Sequence, residues 1–220
     1  MQEVETKENQ FRLKKKPIYA FFKRGFDIFV SFLVMTLFCW LYLILALVVK
    51  CHDGGTAFYA HKRKGLNGKT IYVHKFRSMK MNADNLEEEL TEEEIDKYRE
   101  EYKLEDEKRV TKVGVFLRKT SLDEFPQFWD VFVGKMSIVG PRPLMPCEVE
   151  EKYGADAEKL LSVKPGIVGW WAVNGRNKCT YASGERQRLE LYYVDNRGAK
   201  LDLKIIFKAF GAVFKREGAK

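Results

Sequence analysis

Apolar residues along the chain fall into one unbroken block and several short periodic segments. From Ile28 to Val49 no residue is charged, and Ser31, Thr36 and Tyr42 carry the only hydroxyls. A helix of that length, about 22 residues, reaches across a hydrocarbon core of about 30 Å. Such a helix is apolar on every face, which in a domain this small predicts membrane insertion rather than a soluble core helix. Lys14, Lys15, Lys16, Lys23 and Arg24 precede the block, and Lys50, Lys62, Arg63 and Lys64 follow it. Basic residues prefer the cytoplasmic side of a membrane. Two basic flanks therefore favour a re-entrant hairpin, whereas the absence of Pro and Gly between Gly25 and Gly54 favours an unbroken span.

The remaining pattern alternates between strand and helix periods. His61 to Met79 reads as a β-hairpin, with Asn67-Gly68 at the turn and β-prone Thr70-Ile71-Tyr72-Val73 beyond it. Asp84 to Glu107 is rich in Glu and Lys, with Leu86, Leu90, Ile95 and Tyr98 at near-helical spacing. It predicts a charged amphipathic helical excursion with solvated carboxylates. Residues 148–163 and 184–196 read as helices, and 163–177, rich in Gly and Trp, shows no helical period. Leu201 to Lys215 sets Leu203, Phe207, Phe210 and Phe214 among Lys204, Lys208 and Lys215, the composition of a helix lying in a membrane interface. The fold class that follows is α/β, mostly α. It comprises an N-terminal basic segment (1–22), a membrane-inserted helix expected to be re-entrant (23–50), and a small cytoplasmic domain (51–220) with interfacial amphipathic helices and the excursion at 84–107.

Composition narrows the partners. Over 220 residues the formal net charge is +8, which points to phosphorylated substrates, an anionic membrane surface or nucleic acid. Nucleic acid is disfavoured, because much of the positive charge flanks apolar segments, as lipid contact requires. Cys39, Cys51, Cys147 and Cys179 lie too far apart for a zinc or disulfide framework and read as reduced thiols. The polar, charged N-terminus, with no small-residue cleavage site after the apolar block, does not resemble a signal peptide.

Three stretches carry candidate chemistry. In Arg118-Lys119-Thr120-Ser121-Leu122-Asp123-Glu124, an Asp suited to covalent attack on phosphorus adjoins a Glu suited to Mg²⁺. On a helix the two would project about 100° apart from an anion-favouring N-terminus. Ser121-x-x-Glu124 is equally the pattern of a capping box. In Gly140-Pro141-Arg142-Pro143, two prolines fix Arg142 in a rigid loop suited to bidentate phosphate binding, and Gly140 allows close approach of backbone to a ligand. In Lys164-Pro165-Gly166-Ile167-Val168-Gly169-Trp170-Trp171 and Asn174-Gly175-Arg176-Asn177, aromatic faces and Arg176 suit a nucleobase or lipid head groups.

Together with Lys23-Arg24-x-x-Asp27, Lys75-Phe76-Arg77-Ser78-Met79 and Met136-Ser137-Ile138-Val139, these motifs resemble the bacterial sugar transferases from about Phe22 to Arg216. These are monotopic phosphoglycosyl transferases that start surface-glycan and exopolysaccharide assembly. The resemblance implies that Asp123 attacks the sugar-linked phosphate of a UDP-sugar and that UMP leaves. Undecaprenyl (polyprenol) phosphate then takes the phosphosugar. It also implies that Glu124 is the Mg²⁺ ligand, that Arg118, Arg142, Lys75 and Arg176 bind substrate, and that Asp202 forms a structural ion pair. It places the chain at the bacterial inner membrane with its catalytic domain on the cytoplasmic face, feeding downstream glycosyltransferases. Two departures stand out: Cys39-Trp40 occupies the place of a common Ser-Pro helix break, and Gly169-Trp170-Trp171-Ala172-Val173 replaces a Gly-Trp-Ala-Gln-Val run. A UDP-hexose and a UDP-linked N-acetylated hexosamine both fit as donor. An inactive membrane-anchored adaptor on the same scaffold is the alternative reading, and the intact Asp123, Glu124, Arg118 and Arg142 argue against it.

Overall fold

A computed structural model describes residues 15–104, 107–175 and 179–215. The apolar block is not one helix. It forms α1 (Pro17–Leu37) and α2 (Cys39–Asp53), which meet at a 65° bend, and no single described helix is long and apolar enough to cross a membrane. The break falls at Phe38 (φ −109°, ψ 16°) without Pro or Gly. Tertiary contacts account for it. The Phe38 ring packs edge-on against Phe125, and the Tyr42 hydroxyl donates to the Phe125 carbonyl. The Trp40 indole N–H donates to the Leu37 carbonyl at 3.1 Å, satisfying an acceptor near the break. Of the two readings the sequence left open over 23–50, the unbroken helix does not form, although no Pro or Gly interrupts it.

The helix pair is clamped to the globular domain by Lys23-Arg24-x-x-Asp27. Lys23 Nζ lies 2.6 Å from Asp202 Oδ2, which also accepts from the Tyr19 hydroxyl at 2.7 Å. Arg24 donates to the Val131 and Phe132 carbonyls, both at 2.7 Å. Buried Asp27 accepts from the Ser137 hydroxyl and the Ile138 amide. Three side chains within little more than one turn of α1 are thereby fixed, each to a different part of the domain.

The domain contains two small sheets among helices. Strands β1 (Phe58–Lys64) and β2 (Thr70–Phe76) form the expected antiparallel hairpin, with Asn67 and Gly68 both at positive φ in the turn. The excursion folds as α3 (Leu86–Glu89) and α4 (Glu92–Glu101), the latter opened by a Thr91–Glu94 capping box. It is not merely a solvated surface helix. The Glu101 carboxylate accepts the Tyr181 and Ala182 amides, and the Tyr102 hydroxyl donates to Glu151 at 2.6 Å. Then come α5 (Lys112–Lys119), α6 (Gln127–Phe132), β3 (Ser137–Val139), α7 (Pro146–Tyr153), α8 (Ala157–Leu161), β4 (Gly166–Val168), α9 (Trp170–Asn174), α10 (Glu185–Asn196) and α11 (Ala199–Lys215).

Strands β3 and β4 pair in parallel. A Cβ on Gly140 would stand 2.5 Å from the Lys164 carbonyl oxygen, so this glycine serves backbone crossing backbone rather than the ligand approach expected from sequence. The stretch 163–177 contains β4 and α9, two elements too short to impose a visible period. Val73, Val131, Met136, Ile138, Val139, Tyr193 and Ile205 form the main core. It sits between the hairpin, α6, β3 and the last two helices.

Candidate active site

Asp123 and Glu124 lie on a single 3₁₀ turn (Leu122–Glu124), not at the N-terminus of an α-helix. Ser121 adopts a left-handed conformation (φ 56°, ψ 17°) and its side chain caps nothing, so the Ser121-x-x-Glu124 capping box does not form. Helix α5 ends at Lys119, the chain reverses through Ser121, and α6 begins at Gln127. The tight turn buries Asp123 while the Glu124 side chain stays about 29% exposed.

Lys75, from β2, reaches both carboxylates. Its Nζ is 2.8 Å from Glu124 Oε1 and 4.0 Å from Asp123 Oδ2. The strand register pairs Lys75 with Tyr59, and alternation puts Tyr59, His61, Arg63 and Lys75 on one face of the hairpin. Arg118 lies one turn before the carboxylates at the end of α5, and its Nε donates to the Ser78 hydroxyl at 3.0 Å. Burial holds its pKa below the usual arginine value, while the Asp123 carboxylate works in the opposite direction.

The positive field extends further than the sequence motifs indicate. Burial, together with Arg63, Lys75 and Arg142, pushes the His61 imidazole down to about 3. A neutral His61 accepts the Arg63 Nη2 hydrogen bond through Nδ1 at 3.0 Å. Burial and the nearby Arg142 depress Arg63 to about 10, and Glu148, 3.5 Å from Arg63 Nη1, partly offsets this. Arg142 itself is exposed. Lys75 and Arg118 therefore stand beside Asp123 and Glu124, and Arg142 and Arg63 continue the positive charge from them into one cationic basin. Arg63 and His61 were missed in the sequence, because a basic stretch on a strand shows its inward members only once the register is fixed.

Asp202 lies away from the basin, in the clamp with Lys23, Tyr19 and Tyr193. Arg176 lies outside the described residues. No cluster of three or more His, Cys, Asp or Glu side chains able to hold a metal occurs among the described residues. Mg²⁺ does not need one: it usually takes one or two carboxylates, several waters and substrate phosphates. The Asp123–Glu124 pair fits that donor set.

A family model described as bacterial sugar transferase matches residues 18–216. The UDP-galactose-lipid carrier transferase of Erwinia amylovora is 41% identical over 202 residues, which cover 90% of this chain and 42% of that protein. The exopolysaccharide production protein ExoY of Sinorhizobium fredii is 40% identical over 207 residues, covering 93% of this chain and 90% of that protein. The undecaprenyl-phosphate galactose phosphotransferase of Salmonella typhimurium is 41% identical over 202 residues, 90% of this chain and 42% of that protein. The chain thus spans less than half the length of two of these relatives and nearly all of the third. With the motifs in order on one folded domain and the family model matched almost end to end, the chain belongs to the bacterial sugar transferase family.

Proposed function

We propose that the chain transfers a sugar 1-phosphate from a UDP-sugar to undecaprenyl phosphate, releasing UMP, at the cytoplasmic face of a bacterial inner membrane. The observation that carries this reading is the Asp123–Glu124 turn beside Lys75 and Arg118, with Arg142 and Arg63 extending the positive charge, on a domain clamped to a bent apolar helix pair. The Erwinia and Salmonella relatives, a UDP-galactose-lipid carrier transferase and an undecaprenyl-phosphate galactose phosphotransferase, support the reaction class. The name of the Sinorhizobium relative supports a role in exopolysaccharide production, with downstream glycosyltransferases as the consumers of the product.

In the proposed reaction a carboxylate oxygen of Asp123 attacks the sugar-bearing phosphorus of the donor. The bond from that phosphorus to the bridging oxygen breaks, and UMP departs with the electron pair. A phosphate oxygen of the acceptor then attacks the same phosphorus, and the Asp123 carboxylate leaves unchanged. Both steps bring anion against anion, so the barrier is chiefly electrostatic. Lys75, Arg63, Arg118 and Arg142 offset that repulsion with charges already in place before substrate arrives. Lys75, between the two carboxylates, also orients Asp123. Mg²⁺ held by Glu124 would further neutralise the diphosphate.

The lipid acceptor requires a site at the membrane surface. Phe21, Phe29, Phe32, Leu43 and Leu47 are exposed on α1 and α2, and Phe207 and Phe210 on α11. A 65° bend between two helices flanked by basic residues at both ends suits a re-entrant element, with both flanks returning to the same face. The test is incubation of purified protein with undecaprenyl phosphate and a panel of UDP-sugars, with detection of UMP. Release of UMP from at least one donor, abolished in Asp123→Asn, is expected; silence with the whole panel would support the inactive adaptor.

A further inference from the structure

The loop that carries Arg142 is anchored on either side of that residue, where the Gly166 amide donates to the Pro141 carbonyl and the Lys64 amide to the Leu144 carbonyl, both at 2.8 Å. In Gly140-Pro141-Arg142-Pro143 only Gly140 and Arg142 own a main-chain N–H, because proline has none. The Gly140 amide donates to the Val168 carbonyl at 2.9 Å. The Arg142 amide donates to the carboxylate of Glu190 on α10, at 3.3 and 3.4 Å to its two oxygens. Glu190 is 1% exposed. Satisfying that one amide needs only a neutral acceptor, and a buried carboxylate costs more than a carbonyl in the same place. What the charge adds is attraction to Arg142 and to Arg186, one turn earlier on α10.

A second buried carboxylate stands beside it. Glu148 on α7 accepts from Arg186 at 2.9 Å and the Tyr181 hydroxyl at 2.6 Å, and lies 3.5 Å from Arg63. Each buried carboxylate thus supports one cation of the basin from behind, and Arg186 bridges them. We propose that Glu190 is a positioning residue for donor binding, fixing the Arg142 loop so that its guanidinium meets the diphosphate. This rests on the donor assignment above.

The titration of Glu190 gives a signature that a purely structural role would not move. Burial raises its pKa to about 7, against the lowering effects of Arg186 and the Arg142 amide and charge, with Glu148 raising it further. Tyr153 on α7 also faces it. The ionised acceptor is present above that value and lost as pH falls through it. The donor carries no group titrating in this range, since both phosphates of a UDP-sugar are diesters of low pKa.

The experiment compares wild type with Glu190→Gln as full-length protein in lipid nanodiscs. It measures the KM and kcat for the UDP-sugar and the hydrogen exchange of the peptide spanning residues 140–145. We expect the KM of the variant to rise about tenfold with kcat within about twofold, and exchange at the Arg142 amide to accelerate about tenfold, as for loss of a charged acceptor. Wild-type KM rises as pH falls from 8 to 6, while the variant's stays flat. Unchanged exchange overturns the inference, and so does faster exchange with an unchanged KM. If Glu190→Gln does not fold, the wild-type profile decides, and a flat KM between pH 6 and 8 overturns the inference. Wild type silent toward every UDP-sugar would instead remove the donor assignment on which the inference rests.

Discussion

Lys75 Nζ sits 2.8 Å from Glu124 and 4.0 Å from Asp123, so one ammonium serves two adjacent carboxylates that would otherwise repel each other and the donor. Its loss removes charge stabilisation where negative charge must accumulate. Lys75→Met is expected to lower kcat/KM by roughly 10²–10³-fold. The fold should survive, because the side chain is only partly buried and contributes nothing to the apolar core. Steady-state UMP release with circular dichroism checks both, and a loss below about threefold would remove Lys75 from the site.

Asp202 accepts from Lys23, Tyr19 and Tyr193, joining α1 to α11 through one carboxylate. Replacing it with Ala leaves three donors without that acceptor. Asp202→Ala is expected to cost roughly 3–5 kcal/mol, seen as a fall in Tm of roughly 10 °C. Thermal unfolding followed by fluorescence in detergent measures it. A shift under about 2 °C would show that the clamp is not structural.

His61 binds its proton far less readily folded than unfolded, its pKa pushed down to about 3 from the ordinary 6.5, chiefly because it is buried. Below 6.5 the unfolded chain gains a proton that the folded chain refuses, so stability falls as pH drops from 6.5 toward 3 and is unaffected above 6.5. His61→Asn lacks this proton uptake. Its stability relative to wild type should rise steadily between pH 6.5 and 4, as read from urea midpoints. Parallel acid profiles for the two proteins would contradict the assigned burial of the imidazole.

The bend at Phe38 predicts a topology. With cysteines placed singly at positions 15 and 52 of a cysteine-free background, an impermeant maleimide should label both in inside-out vesicles and neither in intact cells. Labelling of position 15 from outside would show a span.

Which features could be read from the chain depended on how local their causes are. The hairpin is set by Asn67-Gly68 and adjacent β-branched residues, and Asp123-Glu124 stands out as a neighbouring pair. The helix break could not be read, because Phe38 is no intrinsic breaker; contacts with Phe125, 87 positions away (125 − 38), and the Trp40 indole account for it. The missing capping box has a similar origin: Ser121 is spent on reversing the chain after α5 rather than on starting a helix. Arg63 and Glu190 carry no motif at all. Arg63 joins the basin through strand register and Glu190 reaches it through packing of α10 on the Arg142 loop, and neither leaves a mark in sequence spacing.

The central claim is that the Asp123 carboxylate, beside Lys75 and Arg118, captures the phosphosugar before the lipid does. Rapid acid quenching of the enzyme with its UDP-sugar donor and no acceptor, followed by peptide mass spectrometry, tests this directly. A sugar-phosphate mass increment on the peptide containing Asp123, discharged when undecaprenyl phosphate is added, is the predicted result. An unmodified Asp123 under conditions that support full turnover with acceptor would contradict the account.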